Sequence, residues 1–276
     1  MKVFAITDIG RVRALNEDSY YLPLDGERFC AVADGMGGHN AGEVASAMAV
    51  QVFSRYMREV GLITEQALHA AVERANEEVY RAAQENEGMS GMGTTFSALA
   101  RQDDDVLLAH VGDSRVYLVR HGAIMQLTTD HTLVEEMVRK GMLTPREARF
   151  HPRRNIITRA LGTDPYVEVD IVRMAARPGD VFFLCSDGMT NYVEEREILR
   201  AAEGDGSWQA KLQHLVSVAL EKGGADNITA LFAVIGEEAA RGSEPSYRGD
   251  MSFRPSWEPA AWPSSIAPLI KRKTEL

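Results

Sequence analysis

The chain has 276 residues, of which 45% are hydrophobic and 25% are charged, and its formal net charge is -10 at pH 7. This composition is enough for one large core or two small ones. The acidic balance argues against a nucleic-acid-binding protein, because such proteins usually carry a cluster of basic residues. The one short basic run here, Lys271-Arg272-Lys273, lies near the end of the chain. No segment is long and apolar enough to cross a bilayer, so we expect a cytoplasmic monomer with no membrane or nucleic-acid partner.

The first part of the chain predicts three strands followed by two helices. Apolar runs indicate the strands, and a Gly-rich turn is expected directly after Asp34. Amphipathic patterns predict the helices, and Thr64 is a suitable N-cap for the second. The elements are strands at 2–8, 19–23 and 27–33 and helices at 41–60 and 64–84.

The next part predicts a strand meander, a polar segment and a return to strands and helices. The runs TTFSALA, VLLAHV and RVYLVR, joined by Asp/Gly turns, are typical of a meander. Residues 131–163, here called the flap, are polar with helix fragments, which favours a surface segment. The remaining elements are strands at 167–174, 181–185 and 227–235 and helices at 194–202 and 207–222.

Blocks of antiparallel strands interrupted by a helix pair predict an α+β fold. We expect a four-layer α-β-β-α sandwich, in which two antiparallel sheets are flanked by helices. Cys30 and Cys185 lie inside apolar runs and are expected to be buried thiols. Hydrophobic periodicity is lost after Glu237, so we expect a domain at 1–238 and a Pro/Ser-rich tail at 239–276, flexible or ordered on binding.

Seven acidic residues stand in short Gly-bearing patches, and most of them follow an apolar run. A carboxylate at a strand end is held rigidly, and several strand ends can converge on one site. Oxygen-only ligands without nearby Cys or His favour Mg²⁺ or Mn²⁺ over Zn²⁺. Any one such residue is more often a turn residue or an N-cap, and Asp8 is expected to be a turn residue or a partner of the ligands. The seven are Asp8, Glu17, Asp18, Asp34, Asp113, Asp187 and Asp226.

The ordered set of patches resembles the metal-dependent Ser/Thr protein phosphatases of type 2C over about the first 236 residues. The DGMGGH form and the short length are similar to the bacterial branch, whose members dephosphorylate phospho-Ser and phospho-Thr in proteins. The fold expected for this family places the metal site at one edge of the sandwich. The patches are Asp8-x-Gly10, Arg13, Asn16-Glu17-Asp18, Asp34-Gly35-Met36-Gly37-Gly38-His39, Met92-Gly93-Thr94-Thr95, Gly112-Asp113-Ser114-Arg115, Asp130-His131, Ser186-Asp187-Gly188 and Asp226-Asn227-Ile228-Thr229.

The resemblance implies two core metal ions and a weaker third, each Mn²⁺ or Mg²⁺. It implies that Asp34 bridges the two core ions. Asp187 and Asp226 would complete the coordination of the first ion, and the Gly35 carbonyl would bind the second. Asp113 would hold the third ion together with Asp187.

The resemblance also assigns the other polar residues of the site. Glu17 and Asp18 would act on the metals through water. Arg13 would bind the substrate phosphate, for which a guanidinium fork is well suited because it can bond two phosphate oxygens.

The general acid is left open, because this chain departs from the animal enzymes at one position. Those enzymes carry a His directly after the Asp-Gly pair, where this chain has Met36. The candidates are His39, His131, His151 and a water on the third metal. For each His, a structural hydrogen-bonding role is the competing interpretation.

The implied function is a phosphoprotein phosphatase that hydrolyses phospho-Ser and phospho-Thr by attack of a metal-bridging hydroxide. Its partners would be phosphorylated proteins and a cognate bacterial Ser/Thr kinase that it opposes. Two alternatives are a catalytically silent phosphoprotein-binding scaffold and a regulator of an anti-sigma/anti-anti-sigma phospho-switch. The presence of all the expected metal carboxylates favours an active enzyme over the scaffold, whereas the substrate would distinguish the regulator.

Overall fold

Two antiparallel β-sheets face each other in the computed structural model, which describes residues 1–37 and 41–236. The described residues belong to one compact unit, Met1–Glu237. The first sheet has the order β1 (Lys2–Asp8), β11 (Ile228–Val234), β10 (Val181–Cys185), β7 (Arg115–Arg120) and β8 (Ala123–Gln126). The second has the order β2 (Asp18–Tyr21), β3 (Phe29–Met36), β5 (Phe96–Gln102), β6 (Asp105–Val111) and β9 (Asp170–Ala175), and β4 (Gly93–Thr94) pairs with β3.

A hydrophobic core fills the space between the sheets. Alternate residues of each strand point inward, so the two inner faces interdigitate. Val32 and Leu108 of the second sheet pack in one buried cluster with Phe182 and Leu231 of the first. Cys30 belongs to the same cluster, and burial raises the pKa of its thiol to about 12, so it is a core residue as predicted.

Helices cover the outer faces of both sheets. Helices α1 (Gly42–Val60) and α2 (Glu65–Glu85) lie on the second sheet, and α6 (Glu195–Glu203) and α7 (Trp208–Glu221) lie on the first. Phe53 of α1 packs against Phe96 of β5 with ring centroids 5.0 Å apart. The Thr64 hydroxyl accepts a hydrogen bond from Ala67 N, so Thr64 is the N-cap that the sequence predicts. The predicted four-layer α+β sandwich is therefore confirmed.

The predicted end of the strand at Asp34 is wrong, because β3 continues to Met36 and pairs there with β4; residues 38–40 of the predicted Gly-rich turn lie outside the described residues. The glycine at position 35 serves close packing instead. A Cβ on Gly35 would lie 2.1 Å from the Gly42 carbonyl oxygen, at the start of α1. A side chain on that residue would therefore push the helix away from the strand that carries Asp34.

The flap contains two short helices, α3 (Leu133–Arg139) and α4 (Pro145–Arg149), in agreement with the predicted helix fragments. A further short helix, α5 (Asp187–Thr190), and strand β8 were not predicted from the sequence. Among the described residues, no helix has both the length and the apolar character needed to cross a membrane. The predicted tail at 239–276 lies outside the described residues.

Candidate active site

The aspartates of the candidate site come from both sheets, and Asp18 and Asp113 are buried while the other three are partly buried. Asp18 and Asp34 lie opposite each other on β2 and β3. Asp113 follows β6, Asp187 follows β10 and Asp226 precedes β11. The negative charges of the other four raise the pKa of Asp34, so the five carboxylates are close enough to interact. The structure thus brings together the aspartates that the sequence singled out, with Asp8 as the exception.

Asp34 is at the centre of this group and is fixed through its backbone. Its pKa lies well above the ordinary value, first because the carboxyl is buried and then because of its charged neighbours. The Thr95 hydroxyl accepts a hydrogen bond from Asp34 N at 2.9 Å. The Thr94 hydroxyl donates to Asp34 O at 2.9 Å. These two threonines, which the Met-Gly-Thr-Thr patch supplies, therefore set the position of the central carboxylate.

Asp18 has one satisfied and one unsatisfied carboxylate oxygen. Ser186 Oγ donates to Oδ2 at 2.7 Å, whereas no hydrogen-bond partner lies on Oδ1 among the described residues. Burial raises the pKa of Asp18 to about 7. A buried oxygen without a donor is costly, so Oδ1 is a natural acceptor for a water or an ion held in the site.

Asp187 and Asp226 have different partners. Burial, followed by the charge of Asp226, raises the pKa of Asp187, and Asn191 Nδ2 donates to its Oδ2 at 3.1 Å. Asp226 is bound by the Arg13 fork, with Nε 2.9 Å from Oδ1 and Nη2 3.0 Å from Oδ2. Glu17 lies on the other side of the fork, 3.6 Å from Nη1. Arg13 therefore lies within the acidic site rather than apart from it.

The loop that carries Asp113 is tied to the central strand. Asp113 is buried, and this burial together with the charge of Asp187 raises its pKa to about 8. The Ser114 and Thr95 hydroxyls hydrogen-bond at 2.8 Å. Gly112 has a φ of 109°, and a Cβ on it would lie 2.6 Å from the Thr95 Cβ. Only glycine fits at this turn, and the close approach keeps Asp113 near the other carboxylates.

Two of the three histidines considered as acids are described, and both have structural partners. The Nδ1 of His131 accepts from Gly112 N at 3.0 Å, and its Nε2 lies 3.1 Å from Asp170 Oδ2. The Nδ1 of His151 accepts from Arg153 N at 3.1 Å. His39 lies outside the described residues. His131 thus holds the backbone that precedes Asp113.

Asp8 has the turn role that the sequence allowed. It ends β1, and its Oδ1 accepts a hydrogen bond from Gly10 N at 2.8 Å. This bond closes the turn at the start of the loop that leads to Arg13. Nothing in its described contacts involves the five aspartates of the site.

The donor set suits hard divalent cations. Among residues 1–37 and 41–236, no group of three or more His, Cys, Asp or Glu side chains is arranged to hold a metal ion as it stands. The chemistry nevertheless fits such ions, because buried carboxylates this close together repel one another unless protons or cations neutralise them. Arg13 is a single positive charge against several carboxylates, and Asp18 Oδ1 is still unpartnered.

The sequence alone did not indicate a role for two residues of the site, Arg115 and Asn227. Arg115 forms a bidentate bond with Asp130, with Nη2 2.6 Å from Oδ2 and Nε 2.9 Å from Oδ1, and so fixes the strand that follows Asp113. The buried amide of Asn227 bonds the backbone of the segment around Arg13. Both residues belong to the sequence patches named above. Their position close to a candidate ligand in the sequence was the one indication that they contribute to the site.

Comparisons with known proteins agree with this geometry. The profile of the protein phosphatase 2C family matches residues 11–231. A serine/threonine phosphatase of Listeria monocytogenes is 40% identical over 232 residues, which cover 82% of this chain and 92% of the relative.

Solved structures show the same fold. The serine/threonine phosphatase PstP/Ppp of Mycobacterium tuberculosis superposes with a TM-score of 0.80 at 39% identity, over 86% of this chain and 99% of the other. The catalytic domain of a serine/threonine phosphatase PstP, solved in complex with two manganese ions, gives a TM-score of 0.76 at 36% identity, over 86% and 98% of the two chains.

Proposed function

We propose a metal-dependent mechanism for this chain. The chain belongs to the protein phosphatase 2C family and is a serine/threonine protein phosphatase acting on phosphorylated proteins. The relatives are named as phosphatases, so they do not favour the silent scaffold or the regulator of an anti-sigma switch. The proposal concerns how the acidic site performs the hydrolysis.

The observation that carries the proposal is the convergence of buried carboxylates on Asp34. The pKa values of four of them are raised because the ionised groups are desolvated and repelled by their neighbours, which costs free energy in the folded chain; these are Asp18, Asp34, Asp113 and Asp187. Divalent cations would remove that cost and would favour the ionised form of every member. The two manganese ions in the related PstP structure support the same chemistry here.

The residues proposed to hold the ions are those that the family resemblance implies. Asp34 would bridge two core ions, with Asp187 and Asp226 on the first and the Gly35 carbonyl on the second. Asp113 would hold a weaker third ion with Asp187. When bound, Mn²⁺ or Mg²⁺ ions would lower the pKa of water to near neutrality and offset the charge of the phosphoryl group.

The chain's own residues bind and orient the phosphate. Arg13 presents its guanidinium fork to Asp226, and phosphate oxygens offer acceptors of the same geometry. The Arg13 side chain is 45% exposed, so a phosphate can reach it from solvent. Asp18 Oδ1 and Glu17 would accept hydrogen bonds from ordered water beside the ions.

The cellular setting follows from the reaction. A phosphatase for phospho-Ser and phospho-Thr requires a kinase that makes its substrates in the same compartment. We therefore place the chain in the cytoplasm as a monomer that opposes a Ser/Thr kinase. The phosphoproteins that accumulate when the enzyme is inactivated in the cell would identify both the substrates and this kinase.

The mechanism is tested by replacing Asp187 with Asn. The amide resembles the protonated acid that burial favours, so Asp187→Asn should fold with an unchanged or higher Tm. It should lose hydrolysis of para-nitrophenyl phosphate at saturating Mn²⁺ and bind fewer Mn²⁺ ions by calorimetry. The exposed Asp103, with a φ of 51°, accepts the same substitution and serves as the matched control. A Asp187→Asn variant with near-parental turnover would exclude the proposed mechanism.

A further inference from the structure

The side chain of Asn227 forms three hydrogen bonds to backbone groups that are far away in sequence. Its Nδ2 donates to Ile9 O and Leu15 O, each at 2.9 Å, and its Oδ1 accepts from Glu17 N at 2.8 Å. The residue is 3% exposed. The partners fix the orientation of the amide, because two are carbonyl acceptors and one is an N–H donor.

The two carbonyls mark the ends of an exposed loop, residues 9–15, that has Arg13 near its middle. All residues of this loop except Gly10 are exposed, and Val12 is 70% exposed, so little core packing restrains it. On the N-terminal side, Gly10 N donates to Asp8 Oδ1 and Arg11 N donates to Gly224 O. The Arg13 side chain is bonded to Asp226, and Asn16, directly after the loop, donates to Thr7 Oγ1 at 2.8 Å. The Asn227 amide differs from these ties because it joins both ends of the loop, at Ile9 O and Leu15 O.

Without a tie between its ends the loop would sample more conformations, and ordering its residues costs backbone entropy. The hydrogen bonds of Asn227 order the loop in the folded protein before a substrate binds. It is also the residue next to Asp226, to which the Arg13 fork is bonded. One side chain therefore links the ends of the loop, the backbone of Glu17 and the strand that begins at Ile228.

We propose that Asn227 is a positioning residue that holds the loop of residues 9–15 so that Arg13 meets the substrate phosphate. The inference rests on the proposed role of Arg13 in phosphate binding. Asn227 does not touch the phosphate in this proposal, and its effect on substrate passes through the loop. Loss of the amide should therefore weaken phosphate binding only where Arg13 is present.

Asn76 offers a matched control. It is 1% exposed and forms the same pattern of bonds, with Oδ1 accepting from Gly162 N and Nδ2 donating to Asp164 O and Pro165 O. Its partners belong to the segment after Ala160, and none belongs to the loop of Arg13. Asn76→Ala should thus lower stability about as much as Asn227→Ala, since each removes three hydrogen bonds between a buried amide and the backbone.

The experiment combines a double-mutant cycle with hydrogen exchange on the full chain loaded with Mg²⁺. Asn227→Ala should raise the KM for para-nitrophenyl phosphate and the Kd for inorganic phosphate roughly tenfold, the scale of one lost hydrogen bond to a charged group. Arg13→Ala should raise both alone, and adding Asn227→Ala to it should change them by less than about twofold. Amides of residues 9–15 should exchange faster in Asn227→Ala and at the parental rate in Asn76→Ala.

Two results would overturn the inference: an equal loss of phosphate affinity from Asn227→Ala with and without Arg13, or unchanged exchange of residues 9–15. If Asn227→Ala does not fold, Asn227→Ser provides the same test, because its shorter uncharged side chain keeps one polar group but cannot bond Ile9 O, Leu15 O and Glu17 N together. An Arg13→Ala variant with unchanged KM would refute the phosphate role of Arg13. Exchange of the loop would then still decide whether Asn227 orders it.

Discussion

Asp113 differs from the other aspartates of the site in how it is connected. Burial is the first cause of the raised pKa at both residues. Beyond burial, Asp34 has four carboxylate neighbours that raise its pKa, whereas Asp113 has two, Asp187 and Asp130, and the positive charge of Arg115 opposes the shift. A cation beside Asp113 would thus have fewer anionic partners than a cation on Asp34. Because affinity for hard cations rises with the number of charged ligands, we expect the ion at Asp113 to be the weakest.

The prediction for Asp113→Ala follows from this weaker ion. The variant should keep the two tighter Mn²⁺ sites in calorimetry and lose the weakest one. Its kcat should fall roughly 10²-fold or more, the contribution typical of a lost proton donor, if water on the third ion is the general acid. Asp103→Ala, at an exposed turn, should change neither quantity. Normal turnover with one ion fewer would show that the third ion takes no part in the reaction.

Single residues were predictable from the sequence where a short patch carries the signal. Asp34, Asp187 and Asp226 stand beside glycine or in a motif, and the structure places them together. The role of Asn227 was not predictable, because its bonds to Ile9 and Leu15 span more than two hundred residues of sequence. A local pattern gives the type of residue at a position but does not contain such a partner.

The flap is anchored at both ends to strands of the acidic site. Thr94 N donates to Leu161 O at 3.0 Å, and Leu161 N donates to Thr94 O at 2.8 Å. At the other end, His131 N donates to Gly112 O at 2.8 Å. Thr94 and Gly112 adjoin residues that position Asp34 and Asp113, so the flap begins and ends at the site. The segment between these anchors is the part of the flap that can contact a protein substrate.

Arginines of the flap are not equivalent. Arg159 pairs with Asp170 at 2.8 Å and with Glu168 at 3.0 Å, so its charge is already balanced. Arg153 and Arg154 are exposed, and within the described part of the chain neither forms an ion pair. An unbalanced positive surface beside an acidic site in an acidic protein would attract phosphorylated segments.

The element-scale prediction concerns this basic pair. Replacing Arg153 and Arg154 with Ala should lower kcat/KM several-fold for phosphopeptides and leave para-nitrophenyl phosphate nearly unchanged, since the small ester does not reach the flap. The difference should shrink as salt rises, because the Debye length falls from about 10 Å at 0.1 M to about 3 Å at 1 M. The double variant Arg28→Ala, Arg74→Ala removes the same charge outside the flap and is the control. Equal losses on both substrates would rule out electrostatic steering.

Prediction of the elements failed where tertiary packing overrides local pattern. β3 extends past Asp34 because β4 is available to pair with Gly35 and Met36, and the two-residue β4 has no periodicity of its own. Helix α5 starts at Asp187 directly after β10, within a Ser-Asp-Gly-Met segment that reads as a turn. The long helices and the central strands were predictable because their apolar periodicity extends over several turns or residue pairs.

At the scale of the whole molecule, the protein contains two kinds of carboxylate, whose contributions to the stability of the fold depend on pH in opposite directions. Burial disfavours the charged form of Asp180, but the hydrogen bonds from Arg120 at 2.6 and 2.7 Å outweigh it and lower its pKa. Asp18, Asp34 and Asp113 have raised pKa values. The first kind stabilises the fold only when ionised, and the second only when protonated.

With respect to these carboxylates, the stability of the metal-free chain should therefore be highest near their ordinary pKa of 3.8 and fall as the pH rises above about 4. Asp180 loses its contribution as pH falls below its ordinary value of 3.8. Asp18 and Asp113 favour folding below 3.8, and that contribution is lost as pH rises through about 7 and about 8. Between pH 5 and 8 we expect a loss on the order of several kcal/mol, because each of these carboxyls loses about 1.4 kcal/mol per pH unit until its raised pKa is passed, and a fall of roughly 10 °C or more in Tm.

Thermal unfolding in EDTA and in saturating Mn²⁺ measures this effect. The fall in Tm between pH 5 and 8 should disappear with Mn²⁺, because a cation that binds the ionised carboxylates reverses their preference for the proton. Asp18→Asn keeps the acceptor for Ser186 Oγ and removes one titrating carboxyl. The fall in Tm between pH 5 and 8 in EDTA should therefore be smaller in this variant by the contribution of Asp18. A metal-free chain whose Tm stays constant or rises over this range would show that the carboxylates of the site are ionised and balanced without any metal.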